Sequence, residues 1–155
     1  MKITIIGAGP GGYETALYAA KRGAEVVLIE KDTLGGTCLN RGCIPTKAFL
    51  ASYDSLKACE EASDFGINIP EGDITVDYAT VLERKNKVMT SLVKGIAFLM
   101  DKAGVTVIKG TGSLKDNHTV LVEKADGETE EIQTDYIILA TGSVPVAPPT
   151  FKVNG

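Results

Sequence analysis

The sequence predicts an α/β fold, a doubly wound parallel sheet with a small antiparallel meander inserted before its last strand. Three observations carry this. A strand, a glycine turn, a helix and a second strand follow one another along the first thirty or so residues. Short β-branched runs then alternate with longer segments of helical periodicity. From Gly110 to Asp135 the pattern changes to short segments joined by polar turns, as in an antiparallel meander.

The elements follow in order. "KITIIG" is an isoleucine-rich run that reads as a buried parallel strand. In "AGPGGYETALYAAKRG", Tyr13, Ala16, Leu17 and Ala20 recur at helical spacing, and Gly23 is a C-terminal stop. "AEVVLIE" is a second strand, which completes a βαβ unit of right-handed connection. Lys31 to Gly42 reads as loop, with glycines at 35, 36 and 42. A helix starts near Cys43, because Pro45 is tolerated in a first turn, and runs to about Ser63. "FGINIPEGDITV" reads as loop. Asp77 caps the next helix, whose apolar face is Val81, Val88, Leu92, Ile96 and Leu99 and which reaches about Ala103. "GVTVIKG" is a third strand, and "GTGSLKD", "HTVLVEK" and "EEIQTD" form the meander. "YIILATGS" is a last strand ending at Gly142, and "VPVAPPTFKVNG" is a proline-punctuated connector. Residues 1–149 thus read as one domain and 150–155 as the start of a linker to something larger.

At 155 residues the chain suits one core, and 44% hydrophobic with 23% charged residues is the composition of an ordinary globular protein. A net charge of −4 without a dense basic run argues against nucleic acid as a partner. No apolar stretch approaches about 18 residues, so no membrane span is expected. The N-terminal apolar run is only Ile3 to Ile6, too short for a secretion signal, which points to the cytoplasm.

Gly7, Gly9 and Gly12 form G-x-G-x-x-G between a predicted strand and a predicted helix, with Pro10 and Gly11 inside the turn. Gly7 permits the sharp turn, Gly9 lets a pyrophosphate approach the backbone, and Gly12 lets helix and strand pack closely. The helix N-terminus then offers N–H groups and a positive dipole end to phosphates. Glu30 ends the second strand, where a carboxylate accepts hydrogen bonds from ribose hydroxyls. An acid there favours NAD or FAD over NADP and does not separate the first two.

Cys38 and Cys43 stand in a C-x₄-C pair behind two glycines. Structural zinc needs four ligands, and Cys59 and His118 offer no ligand-like spacing, so no metal is expected. A structural disulfide is improbable in a reducing compartment. Two unlinked buried thiols remain open beside a redox-active pair. The redox reading has a mechanism: Cys43 sits near a helix N-terminus, where the dipole favours thiolate, and a thiolate attacks an external disulfide while its partner resolves it. Cys59 reads as a small core filler on a helix.

"LGGTCLNRGCIPTK", Leu34 to Lys47, closely resembles the redox-disulfide segment of the FAD-dependent pyridine nucleotide–disulfide oxidoreductases. The glycine turn and "ATGS", Ala140 to Ser143, match that family too, so the likeness spans Met1 to about Pro149. Within the family "CLNxGCIP" looks most like the dihydrolipoamide dehydrogenases, whereas glutathione and mercuric reductases usually carry "CVNVGCVP". The resemblance implies a Rossmann-like, three-layer FAD/NAD(P)-binding fold, with FAD rather than NAD on Gly7, Gly9, Pro10, Gly11 and Gly12. It implies that Cys38 is the interchange thiol and Cys43 the charge-transfer thiolate against the flavin. Lys47 would approach the flavin's reactive nitrogen. Glu30 and Lys31 would line the adenosine end, and Gly36, Thr37 and Cys38 the flavin and pyrophosphate. Gly112 would offer backbone to adenine, and Ala140, Thr141, Gly142 and Ser143 would approach from the last strand.

The enzyme so implied oxidises dihydrolipoamide, free or on a lipoyl domain, and passes hydride to NAD. Its NAD-binding, central and dimer-interface domains, the last carrying a His–Glu acid–base pair, would lie outside these residues. This stretch alone is therefore expected to have negligible turnover, and the homodimer to form through the missing C-terminal domain. Thr46 stands where many such dehydrogenases have serine. His118, the only histidine, follows "KDN" in a predicted hairpin turn and is not the base. Two other readings stand beside this one: a different flavin disulfide reductase, and a non-catalytic dinucleotide-binding module with incidental cysteines.

Overall fold

Two neighbouring strands decide the layering. In β1 (Lys2–Ile6) and β2 (Glu25–Glu30), side chains alternate between opposite faces of the sheet. Ile3, Ile5, Val26 and Leu28 join one buried cluster, and Ile6, Val27 and Ile29 join another. Both faces are apolar, so both must be covered. The computed structural model, which describes residues 1–70, 72, 74–148 and 150–151, shows what covers them.

The first face packs against helices. Ala16 of α1 (Pro10–Lys21), Leu39 of α2 (Gly36–Arg41), and Ile96 and Met100 of α4 (Tyr78–Lys102) are buried there, with Ile44 of α3 (Cys43–Glu60) partly buried beside them. The second face meets the meander, β4 (Thr111–Asp116), β5 (Thr119–Glu123) and β6 (Thr129–Gln133), through Val120, Val122 and Ile132. The central sheet is parallel in the order β3-β2-β1-β7, with β3 at Thr106–Lys109 and β7 at Tyr136–Leu139. The meander is antiparallel in the order β4-β5-β6. The result is three layers, helices on one side of the sheet and the meander on the other.

Local chemistry explains most boundaries. Pro10 opens α1, and Gly23, at φ +82, stops it. Asp77 caps α4 by accepting the Ala79 N–H at 3.0 Å and the Thr80 hydroxyl at 2.5 Å. The Thr80 hydroxyl is the main reason that the Asp77 carboxyl is held below the usual carboxylate range, followed by the backbone N–H donors of Thr80 and Ala79.

Several expectations are corrected. Residues 31–42 are not all loop, because 36–41 form α2. Leu39 buries itself there, and the Asn40 side-chain amide donates to the Leu34 and Gly36 carbonyls, both at 3.0 Å. The buried face of α4 is rotated: Val93, Ile96 and Met100 turn inward, while Leu92 and Leu99 are 43% and 47% exposed. Cys59 is exposed and fills no core; it sits in the last turn of α3 beside Lys57, which pairs with Glu60 and Glu61. The last strand stops at Leu139, three residues before Gly142. A short 3₁₀ turn at Ala62–Phe65 follows α3. His118 does lie in the β4–β5 turn, its N–H on Asp116 Oδ1 at 2.8 Å. Of the linker expected at 150–155, residues 152–155 lie outside the described residues, as does Pro149. Among the described residues no helix is long and apolar enough to cross a membrane.

Candidate functional site

The C-terminal ends of all four parallel strands open on one cleft of about 640 Å³, lined by Ile6, Glu30, Gly110 and Ala140 among others. This is where ligands bind in open α/β sheets. The glycine turn forms one wall. Gly7 has φ +101, and a Cβ on it would lie 2.3 Å from the Ala140 carbonyl oxygen. At Gly12 a Cβ would lie 1.8 Å from the Gly7 carbonyl oxygen, so helix and turn touch backbone to backbone. Gly36, at φ +60, meets the Gly9 Cα in the same way, at 2.6 Å. Gly9, Gly11 and Gly36 therefore present bare backbone to the cleft, with the Pro10 ring beside them. No side chain caps the N-terminus of α1, which leaves that end open to an anion.

Glu30 holds the opposite wall. Its Oε2 accepts the Ala8 N–H at 2.7 Å and its Oε1 the Asp32 N–H at 2.8 Å. Each oxygen keeps a second lone pair for a hydroxyl donor. The Gly110 N–H donates to the Glu30 carbonyl at 3.0 Å, and the Gly35 N–H to the Ala8 carbonyl at 2.8 Å, so four segments are tied together here. Arg41 pairs with the Asp32 carboxylate, and this contact, more than any other, pulls the Asp32 carboxyl below its usual range.

The thiols come from two elements. Cys38 is half-buried in the middle of α2, and Cys43 is the exposed first residue of α3. Gly42 makes the junction, since a Cβ there would lie 3.1 Å from the Thr37 carbonyl oxygen and 3.4 Å from the Cys38 Cα. The thiols are unlinked but interact. The Cys43 thiol, as a hydrogen-bond partner, raises the Cys38 pKa, as do burial and the Cys43 charge, while the Cys43 backbone N–H and the Lys47 ammonium work the other way. The Tyr13 phenol is also raised, by burial first, then by Glu14, with a smaller push from Cys38.

The profile described as "Pyridine nucleotide-disulphide oxidoreductase" matches residues 1–155. The chain belongs to this family. It is 43% identical over 155 residues to the dihydrolipoyl dehydrogenase of Bacillus subtilis, covering 100% of this chain and 34% of that one. With the dihydrolipoyl dehydrogenase of Acholeplasma laidlawii it shares 43% identity over 148 residues, 96% of this chain and 42% of the relative. The crystal structure of LpdA from Mycobacterium tuberculosis superposes with a TM-score of 0.89 at 29% identity, over 99% of this chain and 34% of that one. The flavoprotein disulfide reductase RclA from Escherichia coli follows at a TM-score of 0.75 and 30% identity, over 96% and 30%. The chain thus spans 30–42% of the length of the curated relatives it matches.

For an oxidoreductase of this family the cleft gathers most of the expected residues. Gly7, Gly9, Pro10, Gly11, Glu30, Lys31, Gly36, Thr37, Cys38, Gly112, Ala140, Thr141, Gly142 and Ser143 line it. Gly12, Cys43 and Lys47 do not line it: Gly12 is packed behind the turn, and the other two are exposed on the first turns of α3. The bare backbone, the open helix end, the ribose-ready carboxylate and the thiol at one side fit a dinucleotide that carries a redox ring. Sequence reasoning missed Gly42, Asp32 and Arg41. Gly42 lay in plain view between the cysteines, whereas nothing local marks the Asp32–Arg41 pair.

Proposed function

We propose that this chain binds FAD and performs the thiol–disulfide half of dihydrolipoamide oxidation. One observation carries the reading: two interacting thiols on adjoining helices, one of them lining a glycine-walled cleft at the strand ends. The relatives named dihydrolipoyl dehydrogenase support the choice of substrate. In this reading the α1 N-terminus and the glycine turn hold the pyrophosphate, Glu30 and Lys31 the adenosine end, and Gly112 the adenine. Thr37 and residues 140–143 hold the remainder, with Lys47 and Cys43 at the ring end. Bound FAD would supply the two-electron path from the thiols to NAD.

The exchange steps belong to the chain. With Cys38 and Cys43 joined as a disulfide, a dihydrolipoamide thiolate attacks the Cys38 sulfur and Cys43 leaves as thiolate. The substrate's second thiol then attacks its own sulfur in the mixed disulfide, Cys38 leaves, and the lipoamide ring closes. Substrate loses two electrons and two protons; the protein pair gains the electrons, Cys38 takes up one proton as it leaves, Cys43 stays as thiolate, and the second proton passes to solvent. Residues 1–149 act as the FAD-binding unit and 150–155 lead towards the NAD-binding and dimer-interface parts of a homodimer. A reducing cytoplasm suits unlinked thiols and the bacterial relatives.

The test is FAD reconstitution followed by anaerobic titration with dihydrolipoamide. The expected result is a yellow protein whose visible spectrum changes on adding the dithiol, with the change lost in Cys43→Ser. A colourless protein, or a Cys43→Ser variant that titrates like the parent, would overturn the reading.

A further inference from the structure

Asp32 and Arg41 have no part in the exchange chemistry, yet hydrogen bonds join them to the glycine turn, and Arg41 stands close to both thiols along the chain. The Ala8 N–H of the glycine turn donates to Glu30, and Glu30 in turn accepts the Asp32 N–H. The Asp32 carboxylate receives the Arg41 guanidinium and, at 3.2 Å, the Thr33 hydroxyl, while its backbone carbonyl receives the Lys109 ammonium. Arg41 stands three residues after Cys38 on α2, a spacing at which helix side chains are neighbours. It also stands two residues before Cys43, and both Arg41 and Cys38 line the cleft. A guanidinium on so long a stem can reach its helix neighbour Cys38. The structure turns it to Asp32 instead.

The groups acting on Cys38 from the packed elements are Cys43 and Lys47 on α3 and Tyr13 on α1, whose phenol senses the Cys38 charge. On the far side of α2, α4 offers Lys94 to a shallow pocket shared with Asn40. Lys47 is the cation that favours the Cys38 thiolate; Arg41, though close in sequence, is engaged elsewhere.

We infer that Arg41 is a positioning residue for the thiol pair: Asp32 holds its guanidinium away from the sulfurs, and the clamp is joined to the glycine turn through Glu30. The inference rests on the proposed function for its use, because thiolate supply governs exchange, but its chemistry holds in protein without nucleotide. The Arg41 and Asp32 side chains are 69% and 47% exposed, so their pair contributes little to fold stability and its removal leaves the fold intact.

The test follows Cys38 alkylation by iodoacetamide against pH in the reduced, nucleotide-free, full-length protein, read by peptide mass spectrometry. In Asp32→Asn the freed guanidinium stabilises the thiolate, so the Cys38 rate at neutral pH is expected to rise about threefold to tenfold. Arg41→Met is expected to show no rise, and the double variant to behave like Arg41→Met. An unchanged rate in Asp32→Asn would overturn the inference. So would an equal rise in both single variants, which would mean loosening of α2, or a rise that persists in the double variant, which would mean the field of Asp32 alone. If Asp32→Asn fails to fold, Asp32→Ser carries the same comparison. Failure to bind FAD would sink the proposed function and leave this pattern to be judged by itself.

Discussion

Replacing Gly12 by alanine tests the packing behind the glycine turn. The added methyl would sit 1.8 Å from the Gly7 carbonyl oxygen and 2.9 Å from its carbon, against an ordinary contact of about 3.5 Å. Backbone, not a pliable side chain, stands in the way, and it is held: the Gly7 N–H donates to the Ile29 carbonyl at 2.8 Å, and β1 is in register with β2. Overpacking costs about 1–3 kcal/mol where neighbours can yield. Here they cannot, so a loss of about 3 kcal/mol is expected, against at most about 1 kcal/mol gained from helix propensity. Gly95 is the control. It lies inside α4 with nothing within 4 Å of its hypothetical Cβ, so Gly95→Ala should stabilise by about 0.8–1 kcal/mol. Urea unfolding followed by far-UV circular dichroism suits a chain that has no tryptophan. A Gly12→Ala protein within about 0.5 kcal/mol of the parent would refute the argument from close approach.

Other expectations follow from single groups. Thr4 is fully buried in β1 and its hydroxyl has no hydrogen-bond partner among the described residues, so Thr4→Val should stabilise by about 1 kcal/mol in the same unfolding assay. Asp77→Ala should lower the melting temperature at neutral pH through loss of the α4 cap. Because the folded Asp77 pKa is depressed, its contribution is present above the unfolded value of about 4 and is lost as pH falls through the folded value. The gap between parent and variant should therefore be constant near neutrality and close in acid. Since Cys43 raises the Cys38 pKa, Cys43→Ala should move the Cys38 alkylation profile to lower pH; a shift upward would contradict the geometry.

What the sequence disclosed was what local chemistry decides. The βαβ unit, the glycine turn and Glu30 lie within thirty residues, and each is fixed by near neighbours or by backbone conformation. The cap at Asp77 and the hairpin turn at His118 are local too. The failures are tertiary. Helix α2 was hidden because Gly35, Gly36 and Gly42 look like chain breakers, while its stability comes from Leu39 in the core and the Asn40 amide. On α4, Leu92 and Leu99 repeat at the same seven-residue interval as Val93 and Met100, so periodicity could not choose the inward stripe. Cys59 looked like filler because thiols are usually buried, yet it is exposed in the last turn of α3. In the site, most of the cleft wall was legible from glycines and strand ends. The Asp32–Arg41 clamp was not, since a nine-residue ion pair leaves no periodic trace.

Strand β1 lies between β2 and β7, and the Ala140 N–H reaches the Ile6 carbonyl at 2.8 Å. Among the described residues, β1 is therefore flanked on one side by the strand farthest from it in sequence. A chain that reaches only as far as β2 has the whole glycine motif and Glu30 but lacks the wall formed by residues 140–143. The cleft is therefore closed on that side only once residues 140–143 lie beside the glycine turn.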